Sequence, residues 1–169
     1  MEQILIVDGY NIIGDWPHLR DIKQESLEDA RDMLLKQMAE YQAFSGIKVY
    51  VVFDAHKVPG AGKSLKEFKV TIYYTKKDET ADELIEKLVK KFSHRKREIY
   101  VATSDYLEQR IIFGSGALRK SARELLNEVE HTEREIHKKI QEINKEKRGW
   151  KRDFGEEIEK IFEKWRRGL

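Results

Sequence analysis

Apolar runs rich in β-branched and aromatic residues recur along the first two thirds of the chain: Ile4–Val7, Ile47–Phe53, Phe68–Tyr74 and Ile99–Ala102. Each has the length of a strand. Ile4–Val7 and Val49–Phe53 are nearly continuous rather than alternating, as strands buried on both faces of a parallel sheet require. Most of the intervening segments carry helical periodicity. Leu27, Ala30, Leu34, Met38 and Tyr41 share one face of a helix that Ser26 caps and Gly46 stops. Thr80 and Glu83 form a capping box ahead of Ala81, Leu84, Ile85, Leu88 and Phe92. A shorter helix is expected from Asp105 to Phe113, and a short fifth strand near Ala117–Leu118. The link from Asp54 to Glu67 holds Pro59, Gly60 and Gly62 without any helical period and reads as a long loop. Strands alternating with helices predict an α/β fold with a mostly parallel sheet flanked by helices.

The last third changes character. Ser121 and Glu124 begin another capped helix, with Ala122, Leu125, Leu126, Val129, Ile136, Ile140 and Ile143 on one face. A break at Lys147–Asp153 is expected before a second stripe of Ile158, Ile161, Phe162 and Trp165, with Trp165 in the core. This divides the chain into a domain over 1–130 and a basic helical extension over 131–169, either packed on the domain or projecting from it.

Composition narrows the function classes. The sequence has 33 basic and 31 acidic residues, a net charge of +2, so bulk charge does not decide for or against nucleic acid. No cysteine is present, which excludes disulfides, thiolate metal sites and cysteine nucleophiles, and suits a cytoplasmic protein. No apolar run approaches a membrane span, and Met1–Val7 lacks the features of a signal peptide. The five histidines show no metal-ligand spacing.

The aspartates carry the chemistry. Asp8 and Asp54 directly follow the first and second strands, Asp105 lies just beyond the last long one, and Asp82 opens the helix after the third. In an open parallel sheet these positions share the edge outside the strand carboxyl ends, where ligands bind. Carboxylates gathered there repel one another unless a cation compensates, and hard oxygen ligands suit Mg²⁺ or Mn²⁺. Such a site fits phosphodiester hydrolysis. Taken singly, an aspartate at a strand end is as readily a helix cap, and an Asn such as Asn11 in a turn after a strand often bonds only local backbone.

Asp8-Gly9-Tyr10-Asn11, directly after the first strand, resembles the signature of NYN domains, a branch of the PIN-like nucleases. Thr80-Ala81-Asp82-Glu83 and Thr103-Ser104-Asp105 match the second and third acidic positions, and the whole chain resembles the YacP-like subgroup. The resemblance implies a PIN-like (NYN) fold with extra C-terminal helices. It also implies a metal-dependent endoribonuclease that cuts single-stranded mRNA on translating ribosomes. Asp8, Asp82 and Asp105 are then the metal carboxylates, Asn11 orients a ligand, and Asp54 is a candidate fourth acid.

Basic residues supply candidate RNA or ribosome contacts. Lys57, Lys63 and Lys66 lie in the long loop leaving the second strand, and Arg119 and Lys120 near the acidic edge. Lys147, Arg148, Lys151 and Arg152 flank Trp150, which either stacks on a base or packs against the domain. Two other classes fit the pattern less well. A non-catalytic RNA- or ribosome-binding module has no use for anions at its RNA-facing edge, and an aspartyl-nucleophile phosphatase wants an acid where Tyr10 stands.

Overall fold

A computed structural model describes residues 1–55, 64–67, 69–104 and 116–168, with side chains throughout except at 64–67 and 151–154. The chain divides into two compact units, Met1–Thr132 and Glu133–Leu169. In the first, strands β1 (Glu2–Asp8), β2 (Lys48–Phe53), β3 (Ser64–Glu67), β4 (Val70–Tyr74), β5 (Arg97–Ala102) and β6 (Leu118–Lys120) form one sheet in the order β3-β4-β2-β1-β5-β6. All neighbouring pairs are parallel except β3 with β4.

Side-chain alternation divides the central strand between two cores. Leu5 and Val7 of β1 face α1 (Gly9–Asp15), α2 (Pro17–Glu25) and α3 (Leu27–Ser45) in a cluster with Trp16, Leu34, Met38, Val51 and Phe53. Ile4 and Ile6 face α4 (Ala81–Phe92), packing with Ile85, Leu88, Val52 and Val101. Burial on both faces explains the unbroken apolar run of β1. The expected caps form: Ser26 Oγ accepts from Asp29 N, Thr80 Oγ1 from Glu83 N, and Ser121 Oγ from Glu124 N. Gly46 ends α3 in the left-handed region at φ 76°.

Several expectations are corrected. The end of the Asp54–Glu67 link is no loop: Ser64–Glu67 pairs antiparallel with β4 as an edge strand. A strand of this length is too short to show periodicity, and its pairing partner decides its conformation. Between β1 and Ser26 the chain makes two helices, so Asn11 lies in a helix and not in a turn. Pro17 at the first turn of α2 divides them, and Trp16, fully buried at the junction, donates its indole N–H to Ala122 O at 2.8 Å. The expected short strand is β6. The helix expected at Asp105–Phe113 lies outside the described residues.

The break expected at Lys147–Asp153 is absent: α5 runs from Ala122 to Arg166 without interruption. A lone glycine costs a helix only about 1 kcal/mol, too little for Gly149 or Gly155 to stop one. Trp165 is 72% exposed rather than core, and Trp150 is 68% exposed. Among the described residues no helix is long and apolar enough to cross a membrane.

Candidate active site

The strand register brings the carboxyl ends of β1, β2 and β5 level. Asp8 pairs with Val52, while Val7 pairs with Ala102, the residue before Thr103. Asp8 is 7% exposed. It occupies the N-cap position of α1, yet its side chain accepts no cap hydrogen bond. Capping therefore does not account for this buried carboxylate.

Gly9 follows, directly against the Phe53 ring. A Cβ there would overlap the edge of the Phe53 ring, so contact with a neighbouring side chain demands the glycine. Phe53 in turn packs on Tyr10, with ring centroids 4.9 Å apart. Burial pushes the Tyr10 hydroxyl above its ordinary pKa; its hydrogen bond to the Arg31 guanidinium works in the opposite direction, and the Asp54 carboxylate adds to the rise. Asp54 thus acts electrostatically on the first turn after β1.

Asn11 joins the first helix to the end of β5. Its Oδ1 accepts from Ser104 N at 2.7 Å, from Ser104 Oγ at 2.8 Å and from Thr103 Oγ1 at 3.3 Å. Thr103 is fully buried and its own N–H donates to Lys120 O at 3.3 Å. The chain leading to residue 105 is thus held from both sides. Asp105 itself lies outside the described residues, as do Lys57 and Lys63 and the side chain of Lys66.

Two further braces escaped the sequence reading. Thr75, fully buried, donates its N–H to Phe53 O, and its Oγ1 accepts from Ala55 N at 2.9 Å, fixing the turn that carries Asp54. Glu79 closes the turn ahead of α4: its carboxylate accepts from Lys76 N at 3.2 Å and pairs with Lys87. Burial raises the Glu79 pKa, but the Lys87 and Lys76 hydrogen bonds outweigh it and hold the group below the ordinary carboxylate value. The next residue, Thr80, caps α4, which leaves Asp82 in the first turn without the capping task. No pattern in the sequence marks Glu79 or Thr75, because their partners are chosen by the fold.

The basic candidates separate. Lys120 is buried, and its ammonium lies 2.7 and 2.9 Å from the two Glu128 carboxylate oxygens and 4.9 Å from the Tyr100 ring centroid. Its charge is used internally, which corrects its placement among RNA contacts. Arg119, Lys76 and Lys77 are exposed. Lys147 and Arg148 are exposed on α5, and the side chains of Lys151 and Arg152 lie outside the described residues.

Among the described residues no three His, Cys, Asp or Glu side chains group around a point that would hold a metal ion. Asp105, the third acid of the expected set, is not among the residues searched. The donor chemistry of Asp8, Asp82 and Asp105 fits a hard divalent cation, since it consists of carboxylate oxygen alone.

The model of the YacP-like NYN domain matches residues 5–167. The chain belongs to that family. It is 55% identical to the YacP protein of Bacillus subtilis over 165 residues, 98% of this chain and 97% of that one. It is similar to the crystal structure of Rae1 (YacP) from Bacillus subtilis, with a TM-score of 0.78 and 55% identity over 98% of this chain and 95% of that one. A point mutant of the same protein matches with a TM-score of 0.75 and 53% identity, over 83% of this chain and 82% of that one. The fold is therefore the α/β PIN-like fold, and family membership is consistent with a nuclease.

Proposed function

We propose that this protein is a metal-dependent endoribonuclease that hydrolyses single-stranded RNA, with messenger RNA on translating ribosomes as its substrate. The observation that carries this reading is Asp8: a buried carboxylate at the carboxyl end of the central strand, not used as a cap, beside a β5 end clamped by Asn11. A carboxylate at the carboxyl end of a central parallel strand stands where ligands of such sheets bind, and its hard oxygens suit a divalent cation.

Asp8, Asp82 and Asp105 would hold Mg²⁺ or Mn²⁺, with Asp54 as a candidate fourth acid. When bound, the ion supplies water activation near neutral pH and charge compensation at the phosphodiester. The chain's own contribution is positional. Asn11 acts through Ser104 on the segment leading to Asp105, Thr75 sets the turn of Asp54, and Glu79 sets the turn before Asp82. Lys76, Lys77 and Arg119 lie where exposed cations would hold RNA phosphates, a sequence-independent attraction weakened by salt. Action on ribosomes rests on the family resemblance.

The test is incubation with RNA, with and without translating ribosomes and Mg²⁺, followed by mapping of cut ends. Hydrolysis by water leaves a 5′-phosphate and a 3′-hydroxyl, and a 2′-deoxy substitution at the scissile nucleotide is tolerated. A 5′-hydroxyl on the downstream fragment, formed without metal, would overturn the mechanism. Ribosome binding without cleavage under any metal condition would instead favour a non-catalytic binding module.

A further inference from the structure

The path of the chain brings a cation to the acidic edge. Because β1 and β2 are parallel, the helices between them must carry the chain from the carboxyl end of β1 back to the amino end of β2. α3 ends at Ser45, just before β2, and its 19 residues are about 28 Å long, enough to cross the sheet. Its beginning therefore lies at the carboxyl edge, the edge of Asp8 and Asp54. Arg31 is in its second turn.

Three rings line that edge on the α3 side of the sheet. Phe53 has Tyr10 on one side, with centroids 4.9 Å apart, and Tyr74 on the other, at 6.0 Å. Register sets the row: Phe53 pairs with Tyr74 across β2 and β4, and Tyr10 follows the end of β1 by two residues. Phe53 belongs to the core cluster beneath α3, and both tyrosines pack against that cluster. Tyr10, Tyr74 and Arg31 are each half-buried. The Arg31 guanidinium meets the Tyr10 hydroxyl and interacts electrostatically with Tyr74 too, so it lies across the row.

The ring partners of this cation are neutral. Asp32, its neighbour in α3, acts on it electrostatically, yet among the described residues Arg31 forms no ion pair. A guanidinium presents five N–H donors in a planar fork, so one hydroxyl leaves most of them for other oxygens. A phosphate accepts two side by side. Lys76 and Lys77, exposed just past Tyr74, carry compact charges on flexible stems and do not fix a phosphate in this way. An edge of carboxylates repels an RNA backbone, and a steadied cation beside it offsets that repulsion where the backbone must pass.

We propose that Arg31, steadied by Tyr10 and Tyr74, grips a backbone phosphate of single-stranded RNA next to the scissile bond and holds the substrate against the acidic edge. The contact deepens the nuclease reading and rests on it for the place of the scissile bond.

Binding of an unstructured single-stranded RNA, followed by fluorescence anisotropy over a series of salt concentrations, tests it. The measurement is made with Mg²⁺ in the Asp8→Asn chain, so that nothing is cut. Arg31→Met keeps the apolar stem and should weaken binding about 10- to 100-fold, the worth of hydrogen bonds to a charged group. It should also flatten the logarithmic salt dependence by about 0.7, the loss of one phosphate contact on a single strand. Arg31→Lys keeps the charge and the slope but not the fork, and should bind with intermediate affinity. Where Arg31→Met melts early, Arg31→Gln, which still donates to Tyr10 without a charge, should give the same loss of slope. With Asp8 intact, Arg31→Met should raise KM far more than it lowers kcat. Unchanged affinity and slope in Arg31→Met overturn the proposal, as does an absence of RNA binding by the chain with Arg31 in place. Equal losses in Arg31→Lys and Arg31→Met with an unchanged slope overturn it too, because they mark a tie between α3 and the rings and no phosphate contact. A chain that loses slope with Arg31 yet cuts no RNA with Mg²⁺ or Mn²⁺ supports the contact and defeats the nuclease reading instead.

Discussion

Asn11 shows how one side chain carries structure and site together. Its Oδ1 serves three donors on Thr103 and Ser104, one of them a backbone N–H. Asn11→Ala removes the acceptor shared by these three hydrogen bonds, two of them at the exposed Ser104, where a bond contributes about 0.5–1.5 kcal/mol net. Chemical denaturation should show a loss of that size. Asn11→Asp keeps the acceptor, so it should recover most of the stability, and comparison of cleavage rates in the two variants then isolates the role of the amide. Asp8→Asn runs the other way. In the proposed site it removes one of several like charges, so RNA cleavage should disappear while the melting temperature holds or rises. A variant that has lost cooperative melting would mean that Asp8 serves the fold instead. Gly9→Ala drives a methyl into the Phe53 ring, and overpacking of this kind costs about 1–3 kcal/mol.

At the scale of the elements, the turn from β4 to α4 depends on an ionised Glu79. Its folded pKa is depressed, so its stabilisation is present above the ordinary carboxylate range and is lost as pH falls through the lower folded value. Stability measured downward from neutral pH should therefore fall less steeply in Glu79→Gln, which is already weaker at neutral pH because Lys87 has lost its anion. Equal acid sensitivity in both proteins would show that the turn gains nothing from the charge. The junction of β6 with α5 rests on Lys120, Glu128 and the Tyr41 hydroxyl, which donates to Glu128 at 2.8 Å. Burial, followed by that bond to an anion, pushes the Tyr41 pKa well upward. Removing Glu128 leaves the buried ammonium without its carboxylate, whereas Lys120→Met replaces it with an apolar chain of similar volume. Glu128→Ala should thus be the more destabilising of the two in denaturant melts.

At the scale of the whole molecule, metal removal separates chemistry from architecture. Chelation with EDTA should abolish cleavage and Mn²⁺ restore it, while circular dichroism stays constant, because the core clusters on the two sheet faces do not involve the acidic edge. Much of this molecule is set locally. The runs at Ile4–Val7 and Val49–Phe53 required strands buried on both faces, and the caps at Ser26, Thr80 and Ser121 marked their helices to the residue. Asp8, Asp54 and Asp82 could be assigned to one sheet edge because chain order and parallel pairing fix which ends of the strands coincide. Periodicity, however, reports only which side of an element is buried. It did not separate α1 from α2, nor did it show that Ser64–Glu67 pairs with β4, that Lys120 turns inward to Glu128, or that Trp165 remains exposed. Asn11 binds Ser104 from 93 positions away, and Lys120 is held over the ring of Tyr100 on the neighbouring strand. Contacts of that kind depend on how strands are ordered and aligned across the sheet, which no local pattern encodes and only tertiary packing decides.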